Sequence, residues 1–469
     1  MKKYCFACFF LLFIYSLFAQ SQQEKLQKAI RTLETDPQMK HAILGFSVID
    51  GKTGKKIFER NPQVGLAPAS CQKLFISAAA FDLLGQEYRY PTTAGYDGKI
   101  ASDTLHGNLH ITGYGDPSLG SWRWKETTAG FFFNELIAAL RKAGVRNITG
   151  DVFIDEAAFS MQPVPGGWIW EDIGNYYGAG SWGINWHENQ YDLTLKAGRQ
   201  LQDRVEIVSV DPPLYATLIN ELKTGATGSG DNSIIYLSPY SEFAFARGTI
   251  PVGETHFLVS GSMPYAPIDL AHAMEKAFAA NRISLQGIFH TAIEKWRGNT
   301  KWPSVGDSLL THYSPTLDSL NYWFLKNSIN LYGEVFVKTI AYEKAGLGST
   351  EQGVELVKNF WKDHDIESSA VNIMDGSGLS PQNRVTTDAL VKVLQYAKTR
   401  PWFHSFYAAL PEINGMKMKS GSISGARSYA GYQRSRNNKE YIFAIIINNY
   451  DGSSSAIVRK IWSLLDRLK

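Results

Sequence analysis

Three short groupings hold residue types that together can carry out acyl transfer. Ser70-Cys71-Gln72-Lys73 sets a hydroxyl and an amine three residues apart. On a helix such residues share a face, so the amine can reach the hydroxyl. A lysine desolvated beside other cationic groups has a lowered pKa and can take the serine proton, leaving a nucleophile. Ser328-Ile329-Asn330 offers a hydroxyl able to relay a proton to a leaving amine. Its amide can bond both a substrate backbone and the catalytic lysine. Lys419-Ser420-Gly421, followed by Ser422, suits a strand that lines one wall of a groove, with Lys419 supplying positive charge for a substrate carboxylate. One Ser-x-x-Lys alone means little, because roughly two arise by chance in a chain of this length and an N-capping serine with an exposed lysine is the ordinary reading.

The elements around these residues decide between the two readings. Residues 68–85 (PASCQKLFISAAAFDLLG) place small or apolar residues at nearly every helical position, which predicts a helix buried all round. Ser70 and Lys73 open it. Ser328 and Asn330 fall between helices predicted at 316–326 and 331–344. Further helices are predicted at 23–34, 131–143, 267–281, 349–363, 387–398 and 454–468, the last amphipathic and suited to packing on a sheet. Residues 42–50 and KKIFE read as two strands joined by the turn Asp50-Gly51-Lys52-Thr53-Gly54, and 441–450 as a strand buried on both faces. Residues 92–160 and 191–257 are strand-rich, 161–190 has no clear period, and the chain after about 290 turns helical. Literal Lys-Thr-Gly occurs at 52–54 and 223–225, but the first lies in the predicted hairpin turn and the second in a Gly/Ser loop, both ahead of Ser328. Similar styles at the two ends, around a β-rich middle, predict a split outer domain carrying an insertion.

The chain has 469 residues, enough for two or three domains, with 44% hydrophobic and 19% charged residues. Lys2 and Lys3, an apolar run from Tyr4 to Phe18, Ala19 and then Gln20–Gln23 have the layout of a secretory signal peptide, residues 1–19, so an exported, periplasmic protein is expected. Without that leader 45 basic and 44 acidic residues remain, with no basic patch for nucleic acid. Cys71 is then the one cysteine, so no internal disulfide forms. No later segment is long and apolar enough for a membrane span. His187 and His312 stand apart from other metal-type ligands, so neither a metal nor a cofactor is expected.

The three groupings stand in the order found in penicillin-binding proteins and serine β-lactamases. Longer stretches narrow the likeness. GYGDPSL (113–119), GDVFIDEAAF (150–159), GWIWEDIGNYYGAG (167–180), DGSGLSPQNRVTT (375–387) and KSGSISGARSYAGY (419–432) follow one another along the chain. Together they resemble the class C low-molecular-mass penicillin-binding proteins, the D-alanyl-D-alanine carboxypeptidase/endopeptidase family. The resemblance implies an α/β (α+β) fold: a penicillin-binding, serine β-lactamase-like transpeptidase domain, an antiparallel sheet with flanking helices, bearing a nested two-domain β-rich insertion. On that basis 20–92 and 290–469 form the catalytic domain, 93–180 and 258–289 a second domain, and 181–257 a third. More than 250 residues separate Ser70 from Ser328, room that a β-lactamase lacks.

The resemblance also implies roles. Ser70 attacks the carbonyl between two D-alanines, with Lys73 as base. The backbone N–H groups of Ser70 and Ser422 hold the oxyanion. Ser328 and Lys419 help protonate the leaving group, Asn330 orients the peptide, and Ser420, Gly421 and Ser422 form the wall that takes the terminal carboxylate. The partners implied are peptidoglycan stem peptides, with β-lactams as covalent inhibitors. Asp155 matches an acidic residue that contacts the amine of the stem peptide's diamino acid, although a turn-stabilising role suits it equally. Pro381 stands where the family commonly has arginine, leaving Arg384 as the nearby cation. A β-lactamase and a non-catalytic wall-binding protein are the competing readings. Oligomeric state and the balance of carboxypeptidase to endopeptidase action are not encoded in these motifs.

Overall fold

Leu44, Phe46 and Val48 alternate with Gly45, Ser47 and Ile49 along the strand Ile43–Asp50, so that strand presents two different faces. Its antiparallel partner Glu440–Asn448 sets Ile447, Ile445 and Phe443 directly across from the first group. These side chains pack with Leu26, Ile30 and Leu33 of the helix over 22–34, and with Ile457, Ile461 and Leu464 of the helix Ser454–Leu465. The last helix thus spends its apolar stripe on a sheet, as expected. In this computed structural model residues 22–298 and 301–469 are described. The expected leader at residues 1–19 lies outside them.

The full sheet has six strands, all antiparallel, in the order Lys56–Arg60, Ile43–Asp50, Glu440–Asn448, Ala426–Arg434, Met416–Ile423 and Glu412–Ile413. On its other face Ser47 Oγ lies 2.8 Å from Thr387 Oγ1, and Tyr432 OH donates to Leu394 O at 2.7 Å. Both contacts fix the helix Thr387–Lys398. The turn at Asp50 is as predicted: Asp50 Oδ1 accepts from the backbone N–H groups of Lys52 and Thr53 at 3.0 and 2.8 Å. That accounts for the Lys-Thr-Gly at 52–54 as turn chemistry.

The helix Lys73–Leu84 is buried from Lys73 through Phe81. Ser77 and Ala78–Ala80 let neighbours approach closely, and Trp361 meets it edge-on, 5.9 Å from the Phe75 ring, while donating from Nε1 to Phe75 O at 3.3 Å. Near its far end Asp82 accepts from Tyr396 OH, Trp402 Nε1 and Arg400 Nη2 at 2.6, 2.8 and 3.1 Å. The helix starts later than the sequence suggests. Ala69–Gln72 form a 3-10 turn, and Ala69 sits at φ 47° in the left-handed region.

All of this belongs to one compact unit, the described part of Met1–Asp82 with Asn321–Ser328 and Val357–Lys469. A second unit, Leu83–Leu320 with Ile329–Leu356, is described by itself. It holds a five-stranded sheet in the order Phe289–Thr291, Val152–Asp155, Leu109–Gly113, Pro91–Tyr96 and Asp307–Tyr313. A smaller sheet has three strands in the order Glu206–Asp211, Gln190–Lys196 and Phe257–Ser262, and one apolar cluster of this unit includes residues from Ala94 to Ile283. The stretches expected as second and third domains, 93–289, all fall in this unit. So do 290–320 and 329–356, and within the first of these Asp307–Tyr313 is a strand paired antiparallel with Pro91–Tyr96. That strand was read as part of a helical region. It is largely exposed and so has no alternating apolar signal. Lys223–Gly225 is a short strand rather than a loop, parallel to Phe243–Pro251. Among the described residues no helix is long and apolar enough to cross a membrane.

Candidate active site

The 3-10 turn explains how Ser70 and Lys73 meet. With three residues per turn, side chains three apart eclipse one another, which an α-helix only approximates. Lys73 Nζ donates to Ser70 Oγ at 3.0 Å and to Ser377 O at 2.6 Å, and lies 5.7 Å from the centre of the Phe324 ring. Lys73 is fully buried while Ser70 is partly exposed, so the amine is shielded and the hydroxyl is reachable. In its neutral form such an amine directs a lone pair at the serine hydroxyl, the geometry a general base needs.

The strand Met416–Ile423 stands against this turn. Cys71 Sγ donates to Lys419 O at 3.2 Å, and Ser428 Oγ, on the next strand, donates to Pro68 O. Burial pushes the Cys71 thiol up to about 11, so it stays a protonated packing group. Lys419 Nζ donates to Ser328 Oγ at 2.9 Å and to Ser420 O at 2.9 Å. Ser328 presents its hydroxyl from a left-handed backbone at φ 60°, after the helix Leu317–Lys326. Burial brings the Lys419 amine down to about 8. Ser420 is partly buried and Ser422 exposed along the same strand.

Gly421 is a packing requirement. A Cβ there would come 2.4 Å from Pro68 O, 2.3 Å from Ser428 Oγ and 2.9 Å from Ser70 N. The missing side chain is what lets the strand lie on the backbone of the turn that holds Ser70. Gly421→Ala is expected to push them apart and lower penicillin acylation about 100-fold, the scale of a misplacement near 1 Å. The acylation rate constant read beside a thermal midpoint checks this, since the fold should survive a loss of a few kcal/mol.

Other residues singled out by sequence fall in the second unit. Asn330 is the first residue of the helix Asn330–Ala345, and its Nδ2 donates to Tyr177 O at 2.7 Å. Asp155 ends the strand Val152–Asp155. Its Oδ1 accepts from Ala157 N at 2.9 Å, the turn role, and its Oδ2 lies 3.9 Å from Lys295 Nζ. In the first unit Arg384 Nη1 donates to Pro381 O and Asn383 O at 2.6 and 2.7 Å, so this cation is engaged by its own loop. His187 Nδ1 lies 3.1 Å from Gln190 O, and His312 Nδ1 lies 2.7 Å from Glu135. Three contributors escaped sequence reasoning: the Ser377 carbonyl, the Gln72 amide and the Phe324 ring. The stretch containing Ser377, residues 375–387, carries part of the family resemblance, but no role for the Ser377 carbonyl follows from it.

A buried amine on a reachable serine, faced by a strand lysine bonded to a second serine, is the arrangement of a serine-type hydrolase that works by acyl transfer, here on a mixed α/β fold. Residues 26–468 match the D-Ala-D-Ala carboxypeptidase 3 (S13) family, and the chain belongs to that family. The D-alanyl-D-alanine carboxypeptidase of Actinomadura sp. (strain R39) is 26% identical over 489 residues, covering 93% of this chain and 83% of that protein. D-alanyl-D-alanine carboxypeptidase DacB of Haemophilus influenzae is 25% identical over 434 residues, 87% of this chain and 85% of its own length. In fold, the crystal structure of penicillin binding protein 4 (dacB) from Haemophilus influenzae superimposes with a TM-score of 0.79 at 20% identity, across 96% of this chain and 99% of that one.

Proposed function

We propose that this protein is a serine D,D-peptidase that removes the terminal D-alanine of peptidoglycan stem peptides, cleaves D-alanyl cross-links by the same chemistry, and is acylated by β-lactams. The observation that carries the reading is the contact of the buried Lys73 Nζ with Ser70 Oγ. Lys73 takes the hydroxyl proton as Oγ bonds to the D-alanyl carbonyl carbon. The C–N bond then breaks, and the leaving amine takes a proton from the Ser328–Lys419 pair. Water hydrolyses the ester, releases the shortened peptide and restores Ser70. Asn330 orients the peptide, the backbone N–H groups of Ser70 and Ser422 hold the oxyanion, and Ser420, Gly421 and Ser422 form the wall that receives the terminal carboxylate. Asp155 takes the amine of the diamino acid. The catalytic domain on this reading is 20–92 with 290–469, carrying 93–180 with 258–289 and, within that, 181–257, although 83–92, 290–320 and 329–356 pack in the second compact unit. The leader at 1–19 directs the protein to the periplasm.

Incubation with a defined stem pentapeptide and a cross-linked dimer, followed by mass analysis, tests the reading. Loss of one D-alanine from the pentapeptide is expected. No product from either substrate would overturn it. Lys419 adds a pH dependence with a definite sign. An amine brought down to about 8 is protonated below that pH and loses its charge above it. For a peptide held by its carboxylate, kcat/KM should therefore fall as pH rises through about 8, and the fall should be weaker for a peptide amide.

A further inference from the structure

Asp375 is fully buried, and its carboxylate is surrounded by donors from its own loop and from the nucleophile turn. Oδ1 accepts from Gln72 Nε2 at 2.8 Å, Gly378 N at 2.9 Å and Asn383 Nδ2 at 3.0 Å. Oδ2 accepts from Ser380 N at 2.7 Å. Gln72 Nε2 also donates to Asp375 O at 2.6 Å. The loop is pressed backbone to backbone on the turn: Gly378 sits at φ 85°, and a Cβ on it would come 2.1 Å from Ala69 O. Between these anchors the Ser377 carbonyl points at Lys73 Nζ, 2.6 Å away.

A lysine amine on a four-carbon stem rotates freely unless something holds it. A neutral amine has two hydrogens and one lone pair. An acceptor fixed on one N–H limits where the lone pair can point, and Ser70 Oγ lies within reach of the same amine at 3.0 Å. Hydrogen bonds to a charged acceptor are stronger than neutral ones, so a buried carboxylate is an effective clamp for a loop of this size.

We propose that Asp375 is a positioning residue for proton transfer: it pins residues 375–380 so that the Ser377 carbonyl holds the Lys73 amine in line with the Ser70 hydroxyl. Asp375 does not meet the substrate. It acts through Ser377 and Lys73, and this rests on the roles given above to Ser70 and Lys73. Gln72, lodged between the nucleophile and its base in sequence, ties the clamp to the turn.

The test compares wild type, Asp375→Asn, Gln72→Met and Ser70→Ala as full chains. The readouts are the rate constant for acylation by a fluorescent penicillin from pH 5 to 10, kcat and KM on a stem peptide, and the thermal midpoint. Asp375→Asn keeps the shape but puts an N–H donor where Oδ2 accepted. It is expected to lower acylation about 30-fold or more, to move the pH profile, and to change KM by no more than about twofold. Gln72→Met, which leaves the loop's own bonds in place, is expected to stay folded with a lowered but still cooperative melting transition and to lose about threefold to tenfold in acylation rate. A folded Asp375→Asn with wild-type acylation and an unmoved pH profile overturns the proposal. If Asp375→Asn does not fold, wild-type rate and profile in Gln72→Met overturn it instead. Ser70→Ala separates the two levels: adduct formation by that variant removes the reading of Ser70 itself, whatever the Asp375 result.

Discussion

Ser70→Ala protein is expected to fold normally, to form no covalent adduct with labelled penicillin and to release D-alanine at least about 10,000-fold more slowly than wild type. The size follows from the chemistry. On the proposed mechanism, removing Oγ removes the atom that carries the acyl group, so neither the first bond nor the ester intermediate can form. What remains is binding and oxyanion stabilisation acting on an unaided water. The fold should tolerate the change, because Ser70 is partly exposed and its side chain is not a main anchor of the turn. Those anchors are the Cys71 thiol on Lys419 O and the Ser428 hydroxyl on Pro68 O. Gel fluorescence of the adduct and mass analysis of the product decide the matter. A persistent adduct in the variant would place the nucleophile elsewhere.

Lys73→Met is expected to lower acylation about 1,000-fold or more, the upper range for loss of a general base. Methionine fills most of the space of the lysine stem, and the Ser377 carbonyl loses a donor, so stability should fall by about 1–3 kcal/mol at most. The informative companion is Lys73→Arg. A guanidinium keeps the positive charge but stays protonated at any working pH. If Lys73 served only as a fixed cation, arginine would restore much of the rate. As a base it cannot, and the arginine variant is expected to be as slow as the methionine one. Stopped-flow acylation of the two variants distinguishes the cases.

The parts legible from sequence were those that combine a local pattern with an unusual composition. The helix at 68–85 was visible because apolar and small residues leave it no polar face, and the strand near 441–450 because both its faces are apolar. The Lys419-Ser420-Gly421 strand stands apart from two literal Lys-Thr-Gly copies chiefly by order, since both of those precede Ser328; the copy at 52–54 is a turn, but Lys223–Gly225 is itself a short strand, so local context does not exclude it. The 3-10 turn at Ala69–Gln72 was not legible, since a left-handed alanine leaves no trace in the residue types and is imposed by the packing of Gly378 and Gly421 on Ala69, Pro68 and Ser70. Nor was the Ser377 carbonyl: a backbone acceptor has no side-chain signature, and its aim depends on the buried Asp375 carboxylate. The strand Asp307–Tyr313 was lost for a third reason, an exposed edge without alternation.

The sheet's pairing has a consequence for when the site comes into being. Ile43–Asp50 forms one of its two ladders with Glu440–Asn448, and the helix over 22–34 packs with Ser454–Leu465. The Cys71 thiol meets a carbonyl 348 residues further along the chain. At a synthesis rate of about 5–20 residues per second, roughly 20 to 70 seconds pass between the appearance of the two. Ser70 is therefore made early and its surroundings late: the loop 375–380 follows it by more than 300 residues, and the strand with Lys419 later still. A chain that ends before Met416–Ile423 therefore lacks both the strand wall and Lys419.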